Sequence, residues 1–353
     1  MGKSRISELD GLRGVAAAAV FCCHAVPLAP FSSPLRQVLM SPVLACFYTG
    51  TAPVFLFFVL SGFVLSLPFL EGDRSLSYPR FLIQRAFRIY PALWVTILAA
   101  IGGSYLYAPD RLVGLAPWAH AFWGGSALAH SPSALLRMAL LIPPFPQGFD
   151  PPSWSLGPEM RMSLLLPAVI WLLRQRASPG FSLLILIASY FLAAWHLFFM
   201  PMFVMGACVA KHRTALVELA ARLGPLTMLA VAVGAAALWA NYYIHHSHWM
   251  TWLAAQLVAI PSAVLMVAAM ARPGLQTLLH SRLVHGFGRL SYSFYLLHFP
   301  TLAIGLGWLV PVIGFWLAMV ACAAMTLLES MLMFRLVERP FIRLGHGIAP
   351  EFA

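Results

Sequence analysis

Apolar runs of eighteen residues or more recur along almost the whole chain, parted by short breaks rich in arginine, proline and glycine. A run of that length matches the roughly 20 residues an α-helix needs to cross a hydrocarbon core about 30 Å thick. The pattern predicts spans near residues 12–31, 44–70, 89–107, 153–173, 181–198, 199–210, 225–243, 249–271, 290–309 and 312–334. The fold class that follows is all-α, a polytopic integral membrane helical bundle of about ten transmembrane helices. Residues 181–210 are too few for two full spans, which need about 40. A single crossing there would put Arg272, Arg282, Arg289, Arg335, Arg339 and Arg343 on the opposite side from the other basic blocks. Charge therefore favours two crossings with a bend near Pro201, at least one of them short or broken. Such helices are tolerated where they line a cavity rather than lipid.

Composition and charge agree with that pattern. The chain is 61% hydrophobic and 9% charged, against about a quarter charged in a soluble domain. Its net charge of +11 does not point to nucleic acid, because the basic residues fall in short blocks between apolar spans. With the N-terminus in the cytoplasm, 18 of the Lys and Arg residues lie on the inner side and 4 on the outer. The positive-inside rule then places both termini in the cytoplasm. Lys3 and Arg5 before a small-residue run resemble a signal peptide, but Asp10, Arg13 and His24 interrupt it, so the segment reads as a retained first span. The cysteines show no C-x-x-C pattern and read as small packing residues, not a disulfide framework.

Ionisable groups inside apolar spans mark functional positions by default. Arg13 and His24 share the first span, in LDGLRGVAAAAVFCCHAV. Eleven residues is close to three helical turns, so both lie on one face, about 16 Å apart along the axis. His24 lies about 21 Å into the span, and Glu159, on a span running the other way, about 9 Å below the outer surface. The similar depth is compatible with a carboxylate orienting an imidazole base; Glu159 bonded to Arg161 or nearby backbone is the alternative. Arg85 and Arg88, at i and i+3 in FLIQRAFRIYP, share a face. With Arg13 they form either a phosphate clamp on the inner side or ordinary positive-inside signals.

Other candidates carry two readings each. Ser61 and Gly62, in FLFFVLSGFVLSLP, admit close approach of a ligand or of another helix. Tyr292, Tyr295 and His298, in GRLSYSFYLLHFP, with His196 near the bend at Pro201, are substrate contacts or satisfied interhelical groups. Glu329 reads as an interhelical hydrogen-bond partner. The outer segment 108–152, rich in Trp, Phe, His, Gly and Pro, reads as a lid or as an interfacial aromatic belt. His245, His246 and His248 lack metal-ligand spacing, so no metal is expected. No G-x-S-x-G, P-loop or dinucleotide fingerprint occurs.

Six segments taken in order carry a resemblance: LDGLRGVAAAAVFCCH, FFVLSGFVLSLP, RAFRIYPALW, WSLGPEM, GRLSYSFYLLHFP and VERPF. The chain resembles the acyltransferase-3 family of integral membrane O-acyltransferases. That resemblance implies transfer of an acyl group, usually acetyl, from a cytoplasmic acyl-coenzyme A to a hydroxyl of a cell-envelope carbohydrate. It implies functional roles for Arg13, His24, Arg85, Arg88 and Glu159. His24 is then the general base with Glu159 as its partner, and Arg13, Arg85 and Arg88, helped by Ser61 and Gly62, hold the donor. Direct transfer and an acyl-histidine intermediate both stay open. The run EMRMSLLLP departs from the Phe-Tyr pair many members carry after the glutamate, at Met162 and Ser163, which bears on the acceptor. The expected organisation is one transmembrane domain over residues 1–345, a short cytoplasmic tail over 346–353, no soluble domain, and a multi-pass location in the inner (plasma) membrane among lipids. A transporter or flippase for a lipid-linked glycan is the rival reading.

Overall fold

The computed structural model describes residues 6–41, 44, 50–71, 77–104, 106, 131–143, 151–194, 197–244 and 255–348. Every regular element among them is helical. In chain order these are α1 (Ser7–Ala25), α2 (Pro34–Leu39), α3 (Thr51–Leu70), α4 (Tyr78–Ser104), α5 (Pro132–Ala139), α6 (Leu156–Gln175), α7 (Pro179–Ala194), α8 (Met200–Lys211), α9 (Arg213–Arg222), α10 (Pro225–Ile244), α11 (Ala259–Ala271), α12 (Pro273–Leu279), α13 (Arg282–Ile313), α14 (Phe315–Met333) and α15 (Arg339–Ile348). Each span expected from sequence falls on one of these helices. Among the described residues, however, 6 helices are long and apolar enough to cross a membrane, or up to 8 if each of two bent pairs counts as one span. The all-α membrane bundle is as expected, and the count of about ten is not confirmed among these residues. α7 has 16 residues and α8 has 12, about 24 and 18 Å of helix against a core about 30 Å thick. The chain is a multi-pass membrane protein.

Proline sets the joints. The pairs α9–α10 and α11–α12 bend by 119° and 93°. α10 and α12 each open on a proline, Pro225 and Pro273, whose missing N–H costs nothing in a first turn. Arg272 Nη2 donates to the carbonyls of Ala220 and Leu223, both at 2.7 Å, satisfying acceptors that the end of α9 leaves without helical partners. Between α13 and α14 the turn is made by Gly314 at φ 75°, a backbone conformation that a side chain would strain. The chain then runs from α14 through a π-helical turn, Phe334–Glu338, straight into α15.

The chain divides into two compact units, each made of three stretches. The first comprises Met1–Ala18, Thr49–Tyr78 and Arg161–Arg289. Its centre is the crossing of α3 and α8. A Cβ added at Gly62 would collide with the Phe203 backbone, and one at Gly206 with the Val59 carbonyl. The two glycines let the helices touch through their backbones, flanked by Phe58 and Phe203 with ring centroids 5.4 Å apart. The second unit comprises Ala19–Tyr48, Pro79–Met160 and Leu290–Ala353. Its buried polar side chains follow α13.

Candidate active site

From Leu290 onward, α13 presents a polar residue at nearly every turn of the second unit. Tyr292, Tyr295 and His298 recur every three residues, and Thr301 continues the row, so each is turned about 60° from the one before and the row winds around the helix. Each meets a different partner. The Tyr292 hydroxyl donates to the Ile89 carbonyl at 2.8 Å. The Tyr295 hydroxyl donates to the Pro152 carbonyl and meets Ser155 Oγ, both at 2.9 Å. His298 Nε2 lies 3.0 Å from His24 Nδ1, and Thr301 Oγ1 donates to the Glu329 carboxylate. The interhelical bond expected of Glu329 is therefore present.

Arg85 and Arg88 enter this unit from α4. The Arg85 guanidinium is ion-paired with Glu159. The Arg88 guanidinium is ion-paired with Glu338 and lies 4.8 Å from the centre of the Tyr292 ring. Ser293 Oγ donates to the other oxygen of Glu338 at 2.7 Å. Tyr292 is within electrostatic reach of Arg85, Arg88, Glu159 and Glu338. Two cations and two carboxylates thus balance in one cluster. Tyr292 and His298 are six residues apart, so the cluster lies about 9 Å along α13 from the histidine pair.

These contacts revise one expected partnership. Glu159 pairs with Arg85, and His24 with His298, and a carboxylate–imidazole bond is not among the described contacts of His24. The cause is where α6 begins. Two paired side chains share a level, so Glu159 stands level with Arg85, in the first third of α4, rather than near its far end. The turn before α6, Pro151–Ser155, is not at a surface: Ser153 and Ser155 are buried. The Tyr295 hydroxyl donates to its Pro152 carbonyl and meets its Ser155 Oγ, which is how irregular backbone is accommodated inside a membrane bundle. Four residues beyond Ser155, Glu159 has moved toward Tyr292 and away from His298.

His24 is half-buried and sits near the end of α1, with the Phe299 ring edge-on at 5.4 Å between centroids. His298 is 0% exposed, walled by Phe294, whose ring is nearly parallel to it, and by Phe21. Arg13 belongs to the first unit, with Nη1 4.0 Å from Asp10 Oδ1. Ser61 and Gly62 belong there too, on the α3–α8 crossing. At Gly62 the close neighbour is the α8 backbone, so the ligand reading gives way to helix packing. His196, the cluster His245, His246 and His248, and most of the segment 108–152 lie outside the described residues.

Two members of this site were not singled out from sequence. Glu338 stands beside Arg339 and Pro340 near the end of an apolar run, where an acid resembles a surface charge. Ser293 sits beside tyrosines that drew attention first. The usable signal for Glu338 was its place inside VERPF, one of the ordered segments quoted above, combined with the continuity of helix on either side of it.

Comparison with known proteins gives the site a context. The profile of a family described as an acyltransferase domain matches residues 6–335. The chain is 28% identical over 335 aligned residues to the acyltransferase MdmB of Streptomyces mycarofaciens, an alignment that covers 85% of this chain and 80% of that protein. No solved structure matches. The family match takes in α1 with His24, α4 with its two arginines, the first turn of α6 and the whole of α13, and the chain accordingly belongs to the acyltransferase-3 family and is a membrane-embedded acyltransferase.

Proposed function

We propose that this acyltransferase moves an acyl group, acetyl in the first instance, from an acyl-coenzyme A at the cytoplasmic side of the plasma membrane to a hydroxyl of a cell-envelope carbohydrate. The observation that carries the reading is the histidine pair of the second unit, in which a partly buried His24 is backed by a fully buried His298. The arginine cluster lies about 9 Å away along the same helix.

His24 acts as the general base. As the acceptor oxygen attacks the thioester carbon, its proton passes to the imidazole. When the tetrahedral intermediate collapses, the carbon–sulfur bond breaks and the imidazolium returns that proton to the departing thiolate. The products are an ester and a free thiol, and the base is regenerated. Arg85 and Arg88 hold the donor's phosphates. Guanidinium suits this task because its fork of N–H groups points in fixed directions. Glu159 and Glu338 pre-orient those forks and cancel their charge, so donor capture rests on directed hydrogen bonds more than on a long-range field. The carbohydrate acceptor rests on the resemblance of the six ordered segments.

The test uses the full chain in lipid nanodiscs with labelled acetyl-coenzyme A. Thiol release and acyl transfer that depend on a glycan acceptor and vanish in His24→Ala support the reading. Envelope glycans from cells with and without the protein should differ by one O-acyl mass. Donor that is neither bound nor turned over by the native chain overturns it.

A further inference from the structure

We infer that His298 is a positioning residue that fixes the tautomer of His24, leaving Nε2 of His24 as the reactive nitrogen; this rests on the reading of His24 as the general base. The direction of each hydrogen bond follows from what its partner can do. His298 Nδ1 lies 2.7 Å from the Tyr295 carbonyl oxygen. A carbonyl only accepts, so His298 Nδ1 carries the hydrogen. A neutral imidazole has one N–H, which leaves a lone pair on His298 Nε2. That lone pair faces His24 Nδ1 at 3.0 Å, so His24 donates through Nδ1. The unprotonated nitrogen of His24 is then Nε2, on the side of the ring away from His298.

The opposite assignment makes His298 a cation. It is 0% exposed and walled by Phe21 and Phe294, and its ring hydrogen bonds run to a backbone carbonyl and another imidazole. A charge buried without a counter-ion is strongly disfavoured, so the neutral form holds. The two rings also divide the work by exposure. His24 is the less buried of the two, and His298 is the one held still by its surroundings.

A neutral partner has a mechanistic consequence. An orienting carboxylate would balance the imidazolium formed on His24; an imidazole only accepts its hydrogen bond. The chain of bonds ends at the Tyr295 carbonyl, which cannot keep a proton. The proton taken from the acceptor therefore stays on the histidine pair until the thiolate removes it.

The experiment compares His298→Leu with His298→Gln in the full chain in nanodiscs, using labelled acetyl-coenzyme A and nitrogen-15 histidine. Gln carries an acceptor at about the reach of the imidazole Nε2, whereas Leu carries none. Expected for Leu is a fall in kcat of about 100-fold, with KM for the acyl donor changed by less than about twofold, as for loss of a tautomer-setting partner weaker than a carboxylate. Gln should restore kcat to within about tenfold of the native rate. The nitrogen spectrum should show His24 protonated at Nδ1 in the native chain and in His298→Gln, and a mixture of tautomers in His298→Leu. If Leu does not fold, His298→Asn, polar but one methylene too short, takes its place. Equal kcat in the Gln and the Leu or Asn variants, with the His24 tautomer unchanged, overturns the positioning role alone. Full turnover in His24→Ala overturns the general-base reading beneath it.

Discussion

The α3–α8 crossing and the polar row of α13 are both buried contacts between helices, yet they are built from opposite materials. At the first, Gly62 and Gly206 remove side chains so that backbones meet, and the Phe58 and Phe203 rings fill the space around them. At the second, tyrosine, serine, histidine and threonine side chains stay, and the observed contacts match donors to acceptors. In a membrane the hydrophobic effect does not drive helices together, so close packing and hydrogen bonding are the two remaining means of association. The first unit's crossing uses one and the second unit's spine the other. Only the second leaves groups able to move a proton. The contrast implies that damage to the crossing should appear as lost stability, and damage to the spine as lost rate.

The largest effect is expected at His24. Alanine there removes the base, and acyl transfer should fall by at least about 10³-fold. The melting temperature in detergent should stay within a few degrees, because the ring is only partly buried and a helix favours alanine. A variant that loses rate only by unfolding would put His24 in the same class as the crossing and erase the distinction.

Next in size is Gly206→Val. The added side chain meets the Val59 carbonyl and the Phe63 amide, both rigid backbone. We expect a destabilisation of about 3 kcal/mol or more, read as a lower melting temperature and poor recovery from the membrane. The fraction that folds should turn over at the native rate. A native-like melting temperature with lost activity would mean that the crossing takes part in the chemistry.

These two positions also show what the sequence could reveal. Helix placement was legible because eighteen-residue apolar runs have few alternatives. His24 was legible as a position because an imidazole in such a run is rare, and Tyr295 and His298 because their spacing puts them on one face. What the sequence could not reveal was who meets whom. His24 and His298 are separated by 274 positions, and Gly62 and Gly206 by 144. No local pattern encodes a pairing that distant. Depth along a span says equally little about partners. Counting inward from an assumed surface gives Glu159 a depth similar to that of His24, whereas its partner is Arg85 and the turn before α6 is tied to Tyr295, more than a hundred residues later.

A third, smaller effect should be found in the arginine cluster. Glu338→Gln keeps the shape and a hydrogen-bond acceptor but removes the charge that holds Arg88. A charge-assisted bond is roughly twice as strong as a neutral one, so Arg88 should hold its direction less well. KM for the acyl donor is expected to rise about tenfold while kcat changes less than about threefold. A fall in kcat with KM unchanged would assign Glu338 to the transfer step itself. Smaller again is Tyr295→Phe, which deletes the hydroxyl joined to Pro152 and Ser155. The cost is about 1–2 kcal/mol, and hydrogen exchange at the amides of residues 153–157 should quicken while the α3–α8 amides stay protected.

The smallest expected effect returns to the first unit, at a group outside the spans. His212, between α8 and α9, contacts Ser182 Oγ at 2.9 Å and ties the end of α8 to the start of α7. Burial lowers its pKa from the ordinary 6.5, and the neighbouring Lys211 charge lowers it further. A histidine whose folded value is depressed binds protons more readily when unfolded, so acid favours the unfolded chain. Its contribution is complete above about pH 6.5 and is lost as the pH falls from there through the lowered value. The native chain should therefore melt at a slightly lower temperature at pH 5.5 than at pH 7.5, by an amount that His212→Asn reduces. If His212→Asn keeps the full pH dependence of melting, the pH sensitivity belongs to other groups, and the α7–α8 joint, like the glycine crossing beside it, is held by packing alone.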